Sequence, residues 1–391
     1  MSSTGGLPLR KVDGGFAFGF AGRRRAVPSN RHSVRPVDRG TMTLPGSWRR
    51  RQVEQTDLRV PAPAVAVRPA TPRQRAARAA RNGGEPTLDF ADRVPYDAYV
   101  HASTLHRLQQ PLSDDPGEMS FLMVSQIMEL YFGLTRHELR EAQRCLRADR
   151  VRAALPPLRR AALHLEGLNA AWKGLRWMTP ADFNRFRDLL GEGSGFQSAM
   201  YRHLEFTLGL RDAALIRPFR RQAEVHAELR ATLAAPSLWD DVVALLARRG
   251  FAVPAEVLGR DVAEEHRPHP AVEAAWVAIY DDEEAAGEEA AGGKAAGEEA
   301  AGGKAAGGGA GDAEAGGDAG ASGPGDELRL LGEALAEVAE QFGDWRWNHV
   351  KAVQRTMGAK VGSGGSAGLA WLQRSMSRVV FPELWSARTA M

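Results

Sequence analysis

The chain has 391 residues, one cysteine (Cys145) and a formal charge of +3, so intramolecular disulfides and multi-cysteine metal sites are excluded. The basic excess is local: residues 1–85 carry 17 Lys and Arg against 5 Asp and Glu, while residues 281–326 carry 12 acidic residues against 2 lysines. The remainder is close to neutral, which makes a nucleic-acid partner unexpected, and no uninterrupted apolar run reaches the ~18 residues of a membrane span.

In chain order, residues 1–88 are rich in Arg, Pro, Gly and Ala and hold no sustained helical or strand period. Such a segment buries too little apolar surface to offset its ordering entropy, so a disordered extension is expected. Arg23-Arg24-Arg25 leads into Ala26-Val27-Pro28 instead of an apolar stretch, which speaks against an export signal and for a cytoplasmic protein. Within 89–280 and 327–391 apolar residues recur at spacings of three and four, and strand-like alternation is absent. Helices are predicted around Phe121–Leu139, Leu155–Leu175, Phe183–Leu190, Leu238–Leu246 and Leu328–Val353. Thr179 before Pro180, and Ser237 before Leu238, supply helix N-caps. Residues 89–391 are therefore expected to form one all-α helical bundle. It is interrupted at 281–326, where Ala285–Lys294 recurs unchanged as Ala295–Lys304; the recurrent glycines and the lack of an apolar face predict a flexible acidic loop.

Three segments place polar groups on apolar faces. In the first, Phe121, Ser125, Met128 and Phe132 share one helical face. Ser125 fits either a bond back to the carbonyl one turn earlier or a polar group presented to a pocket. In the second, Phe183 and Arg187 are spaced i, i+4, so a ring and a guanidinium share a face; the guanidinium suits a carboxylate ligand as well as an ordinary salt bridge. In the third, His349 lies one turn after Trp345 and one turn before Val353. An imidazole there is either a hydrogen-bonded core histidine or the proximal ligand of a b-type haem. The following Gly362–Gly368 stretch is rich enough in glycine to turn backbone N–H groups toward an anion, but it lacks the ending of a phosphate loop.

Taken together, the segments resemble the tryptophan 2,3-dioxygenase family. The resemblance runs through Tyr96-Asp97-Ala98-Tyr99, the Glu118–Met128 helix, Met178-Thr179-Pro180, Phe186-Arg187-Asp188, Ser194–Ser198, Tyr201-Arg202, Glu205-Phe206, Pro236-Ser237-Leu238, Trp345–Arg355 and Phe381–Trp385. It implies an all-helical subunit that binds haem b and uses O2 to cleave the indole C2–C3 bond of L-tryptophan, or of a 3-substituted indole amino acid, giving N-formylkynurenine. It also implies His349 as the axial iron ligand, Arg187 as the clamp on the substrate carboxylate and Phe121 as the wall against the indole. Phe183, Ser194 and Ser363 would complete the substrate pocket. Tyr96 and Tyr99 would complete a neighbouring subunit's pocket in a homo-oligomer, commonly a tetramer. Ser125 stands where the family has a distal histidine, Phe183 where it usually has tyrosine, and Ser363 where it usually has threonine. The first two changes are similar to the related indoleamine 2,3-dioxygenases. With a hydroxyl too weakly basic to accept a proton at neutral pH, an alternative outcome is insertion of a single oxygen atom to give a 2-oxindole. A reading from a different class is a non-catalytic haem-binding protein whose Arg-rich arm meets an anionic partner.

Overall fold

The computed structural model describes residues 70–90, 94–281 and 324–391, and among them every regular element is helical. Most of the 1–88 segment and almost all of the 281–326 segment therefore lie outside the described residues. Three helices form the centre: α4 (Pro116–Arg147), α5 (Val151–Ala171) and α12 (Pro324–Met357). Before them lie α1 (Pro72–Arg81), α2 (Pro95–Val100) and α3 (Ala102–Leu105). Between α5 and α12 come α6 (Pro180–Asn184), α7 (Ala199–Thr207), α8 (Ala223–Ala234), α9 (Leu238–Arg248), α10 (Ala255–Leu258) and α11 (270–281). After α12 follow α13 (Leu369–Ser375) and α14 (Pro382–Ala390).

The apolar stripes explain the packing. α5 lies along both α4 and α12, with Leu139, Leu146, Leu158, Leu165, Leu331, Leu335 and Val338 fully enclosed between them. α7 and α9 lean on α4, and α8 covers α7. Local signals fix the starts. Asp115 caps α4, its carboxylate accepting from Gly117 N at 2.8 Å, with Pro116 in the first turn. Thr179 and Ser237 cap α6 and α9 as expected; each hydroxyl accepts from the backbone N–H three residues on, and Asp182 and Asp240 return the bond to the cap residue's own N–H. Among the described residues no helix is long and apolar enough to cross a membrane.

Three details differ from the sequence expectation. α1 is a capped helix inside the segment expected to be disordered. Thr71 and Gln74 form a capping box, Pro72 occupies the first turn, and Ala and Arg are strong helix formers, yet none of its residues is buried. α12 begins at Pro324, inside the segment expected to be an acidic loop. The predicted Phe183–Leu190 helix is broken into α6 and a 3-10 turn, Arg187–Leu190. Phe186 leaves helical conformation (φ −124°, ψ −10°), and its ring is fully buried against Phe121 and Phe183. Burial of that ring outweighs continuation of a short helix, so Phe183 and Arg187 do not share a face.

Ser237 is fully buried, so Ser237→Ala deletes a cap without exposing new surface. The expected cost is about 1 kcal/mol of unfolding free energy, read as a lower urea midpoint with unchanged slope.

Candidate active site

One cavity of about 910 Å³ is lined by α4, the end of α5, the 172–183 segment, the 193–198 loop, α7, α12, the loop after α12 and α13. That volume is at the upper end of the roughly 300–1,000 Å³ typical of small-molecule sites. Phe121, Ser125, Met128 and Phe132 reach it from α4, and Phe183 from α6. The Phe121 ring lies 5.7 Å from Phe183 and 5.6 Å from Phe186, and the last two meet edge-on at 5.4 Å. The hydroxyl of Ser125 donates to the Phe121 carbonyl at 2.8 Å, so its proton is committed to its own helix. Both roles open to Ser125 therefore coexist, because the same side chain also lines the cavity.

α12 carries His349 into this space, and among the described residues it is the one histidine on the cavity lining. Trp172 stacks on its ring at 5.4 Å with planes 19° apart, and Trp345 approaches at 5.5 Å. Phe132 meets Trp345 edge-on at 5.1 Å, and Tyr201 lies 4.8 Å from it, extending the aromatic shell. Burial, with a smaller push from the Arg202 guanidinium, lowers the His349 pKa from 6.5 to about 4. The imidazole is therefore uncharged at neutral pH, the state a metal ligand requires. It still keeps accessible surface, because one side of the ring faces the cavity.

Behind this shell α7 places a buried ion pair. The Arg202 guanidinium bonds the Glu205 carboxylate, donates to the Phe196 carbonyl at 3.2 Å, and lies 4.9 Å from the centres of the Phe196 and Tyr201 rings. Burial raises the Tyr201 phenol well above its ordinary value, so it stays protonated. Among the described residues, Nε1 of Trp172, Nε1 of Trp345 and Nε of Arg202 are buried without a hydrogen-bond partner, and all three residues line the cavity. Among the described residues no group of three or more His, Cys, Asp or Glu could hold a bare metal ion. One neutral imidazole in an aromatic slot, with unspent N–H donors around it, suits an iron porphyrin that brings four of its own ligands.

Two loops close the polar end. Ser194 caps the 3-10 turn Gly195–Gln197, and its hydroxyl accepts from Phe196 N at 3.3 Å. Ser363 Oγ donates to the Gly193 carbonyl at 2.6 Å, and a Cβ on Gly364 would fall 3.0 Å from Ser194 Cβ, so the loops touch. The glycine-rich stretch spends N–H groups on itself: Gly365 N bonds Gly362 O at 2.9 Å and Gly362 N bonds Ser366 O at 3.1 Å. Gly368 sits at φ +57°, where a Cβ would also strike the Lys360 carbonyl.

The cavity thus brings together Phe121, Ser125, Phe183, Ser194, Ser363 and His349. It does not include Arg187, whose guanidinium donates to the Val361 carbonyl in the loop that carries Ser363. Nor does it include Tyr96 and Tyr99, which stand on α2 at 67% and 77% exposure. Sequence reasoning gave no role to Trp172, Phe186 or the Arg202–Glu205 pair. Their helical spacing resembles ordinary core, and only the juxtaposition in space sets them apart.

A helical bundle with one uncharged imidazole facing a large aromatic cavity is the class of protein that the fold and site define. A sequence model of the tryptophan 2,3-dioxygenase family matches residues 82–298 and 322–391. The tryptophan 2,3-dioxygenases of Bradyrhizobium diazoefficiens and Burkholderia pseudomallei are each 36% identical to the chain over 78% of its length, covering 95% and 87% of their own. That of Bordetella pertussis is 35% identical over 77% of the chain and 93% of its own length. The chain belongs to the tryptophan 2,3-dioxygenase family, and it is an oxidoreductase of that type.

Burial sets the pH at which the His349 ring gains a proton, and a protonated imidazole does not bind a metal. Haem binding by the apo-protein should stay level from pH 7 to 5 and weaken as pH falls through about 4, where the ring gains its proton. Soret titrations across this range check it; weakening centred near 6.5, the ordinary value, would show an exposed ligand.

Proposed function

We propose that the chain is a haem b-dependent dioxygenase that cleaves the indole C2–C3 bond of L-tryptophan, or of a 3-substituted indole amino acid, with O2 to give N-formylkynurenine. The observation that carries this reading is the uncharged imidazole of His349 in the same cavity as the Phe121–Phe183 wall. Family membership supports both the cofactor and the substrate class. Bound haem supplies the activation of dioxygen; the chain's own residues bind, orient and exclude water.

In this reading His349 would hold the haem iron, and Trp172 and Trp345 fix its ring plane. Phe121 and Phe183 pack the faces of the indole, which suits tilted aromatic contact. Ser194 and Ser363 present hydroxyls at the polar end. Arg187 is tied to the loop that carries Ser363: one nitrogen of its fork holds the Val361 carbonyl, and the guanidinium has further donors for a carboxylate. Tyr96 and Tyr99, exposed on α2, would enter the pocket of a neighbouring copy in a homo-oligomer, a tetramer in this reading. Exposed Leu88, Val94 and Leu112 give the same N-terminal region apolar surface to bury. A single catalytic domain over 89–391, carrying an extension at 1–88 and an insertion at 281–326, fits a family match that leaves out 1–81 and 299–321. A cytoplasmic location fits the single cysteine.

One observation favours a second outcome. Ser125 spends its proton on the Phe121 carbonyl, and a hydroxyl is a poor base, so its side chain does not serve as proton acceptor for the indole N–H. Selection for an unsubstituted indole nitrogen is correspondingly looser, and insertion of one oxygen atom to give a 2-oxindole is the alternative reaction. Product mass separates the two: with L-tryptophan under 18O2, the dioxygenase reading expects two labelled atoms in one product. A single labelled atom would favour the 2-oxindole instead.

Arg187→Ala is expected to raise KM for L-tryptophan by about 10- to 100-fold, the scale of one charge-assisted pair. The Soret band should stay in place, since Arg187 is outside the cavity lining. An unchanged KM would remove Arg187 from substrate binding.

A further inference from the structure

The solvent edge of the His349 cavity carries a concentration of positive charge that neither the fold nor the substrate reading uses. Lys173 and Arg176 stand at the turn after α5, and Lys351 and Arg355 lie one turn apart on α12; all four are exposed and line the cavity. Two exposed acids, Glu166 and Asp344, line the same α5 and α12 edge, which leaves it with an excess of positive charge. Among the described residues none of the four cations pairs with a carboxylate. Lys351 does no more than rest 5.2 Å from the Trp347 ring. Exposed Arg144 and Arg248 do pair, with Glu141 and with Asp149 at 2.8 Å, and half-buried Arg388 pairs with Glu333 at 2.7 Å.

Like charges spaced i, i+4 on a helix repel, as Lys351 and Arg355 do, so this arrangement is unfavourable until an anion joins it. The cavity is apolar and aromatic within and cationic at this edge, which matches an amphipathic disc with its carboxylates on one side. We propose that Lys173, Arg176, Lys351 and Arg355 form the anion subsite that holds the two edge carboxylates of the tetrapyrrole. The inference rests on the haem reading above, and it adds which way round the macrocycle enters. Its acidic edge would face the α5–α12 rim, and its apolar methyl- and vinyl-bearing edge would point into the cavity. Exposed charge-assisted contacts of this kind are individually weak, and they orient a ligand more than they drive its binding.

The test compares haemin with haemin dimethyl ester, which has the same iron and macrocycle but no edge charge. Both are titrated into the full-length apo-protein, and the Soret band is followed. Wild-type protein should bind the diacid about tenfold more tightly than the diester, a gap that narrows in high salt. In Lys351→Ala/Arg355→Ala, and separately in Lys173→Ala/Arg176→Ala, diacid affinity should fall toward that of the diester. Diester affinity should hold, which reports that the variants are folded. Equal affinities in wild-type protein, or an undiminished preference in both double variants, would overturn the inference and leave the haem reading intact. Failure to bind either porphyrin would overturn both.

Discussion

An imidazole kept uncharged inside an aromatic shell is the constraint on which the rest of this structure depends. His349 is positioned by a long helix, α12, whose N-terminal part is locked against α5 by Leu331, Leu335 and Val338 along the same face. Trp172 and Trp345 restrict the ring to one slot, and burial keeps its proton off down to about pH 4. The Arg202 charge nearby would be costly in such surroundings alone, and Glu205 compensates it within the same helix. Removing one member of a buried pair leaves an uncompensated charge, commonly at about 3–5 kcal/mol, so the pair is part of what keeps this shell intact.

The other end of the cavity is built by two loops and a helix turn. Ser363 bonds Gly193 and Arg187 bonds Val361, so the 3-10 turn and the glycine-rich loop hold each other across the polar end of the cavity. Rings occupy the apolar end, where Phe186 displaces helix continuation to pack beneath Phe121 and Phe183. Ser125 sits among these rings with its hydroxyl turned back on its own helix. That leaves the aromatic rings as the main surface at this end of the cavity.

Much of this architecture was legible in the sequence, for identifiable reasons. α4, α5, α9 and α12 follow from apolar spacing, because each buries a stripe against a neighbour. The Thr179 and Ser237 caps follow from short-range bonding that needs no tertiary context. The break after α6 was not legible: its cause is the burial of Phe186 against residues 65 positions away in the chain, such as Phe121. α1 was missed for the opposite reason, since composition over a long basic segment masked a local capping box at Thr71. Within the site, His349 and Ser125 stand out as polar residues on apolar stripes, whereas gathering them with Phe183, Ser194 and Ser363 required the family resemblance. Trp172 and Arg202 look like core from spacing alone, and their proximity to His349 appears only in three dimensions.

The central claim is tested most directly by replacing the ring that carries it. His349→Gly, expressed with haem, should lose the optical spectrum of the wild-type haem complex, and free imidazole added to the variant should restore it. A variant that keeps the wild-type spectrum without added imidazole would contradict the account, because the iron would then have a different protein ligand.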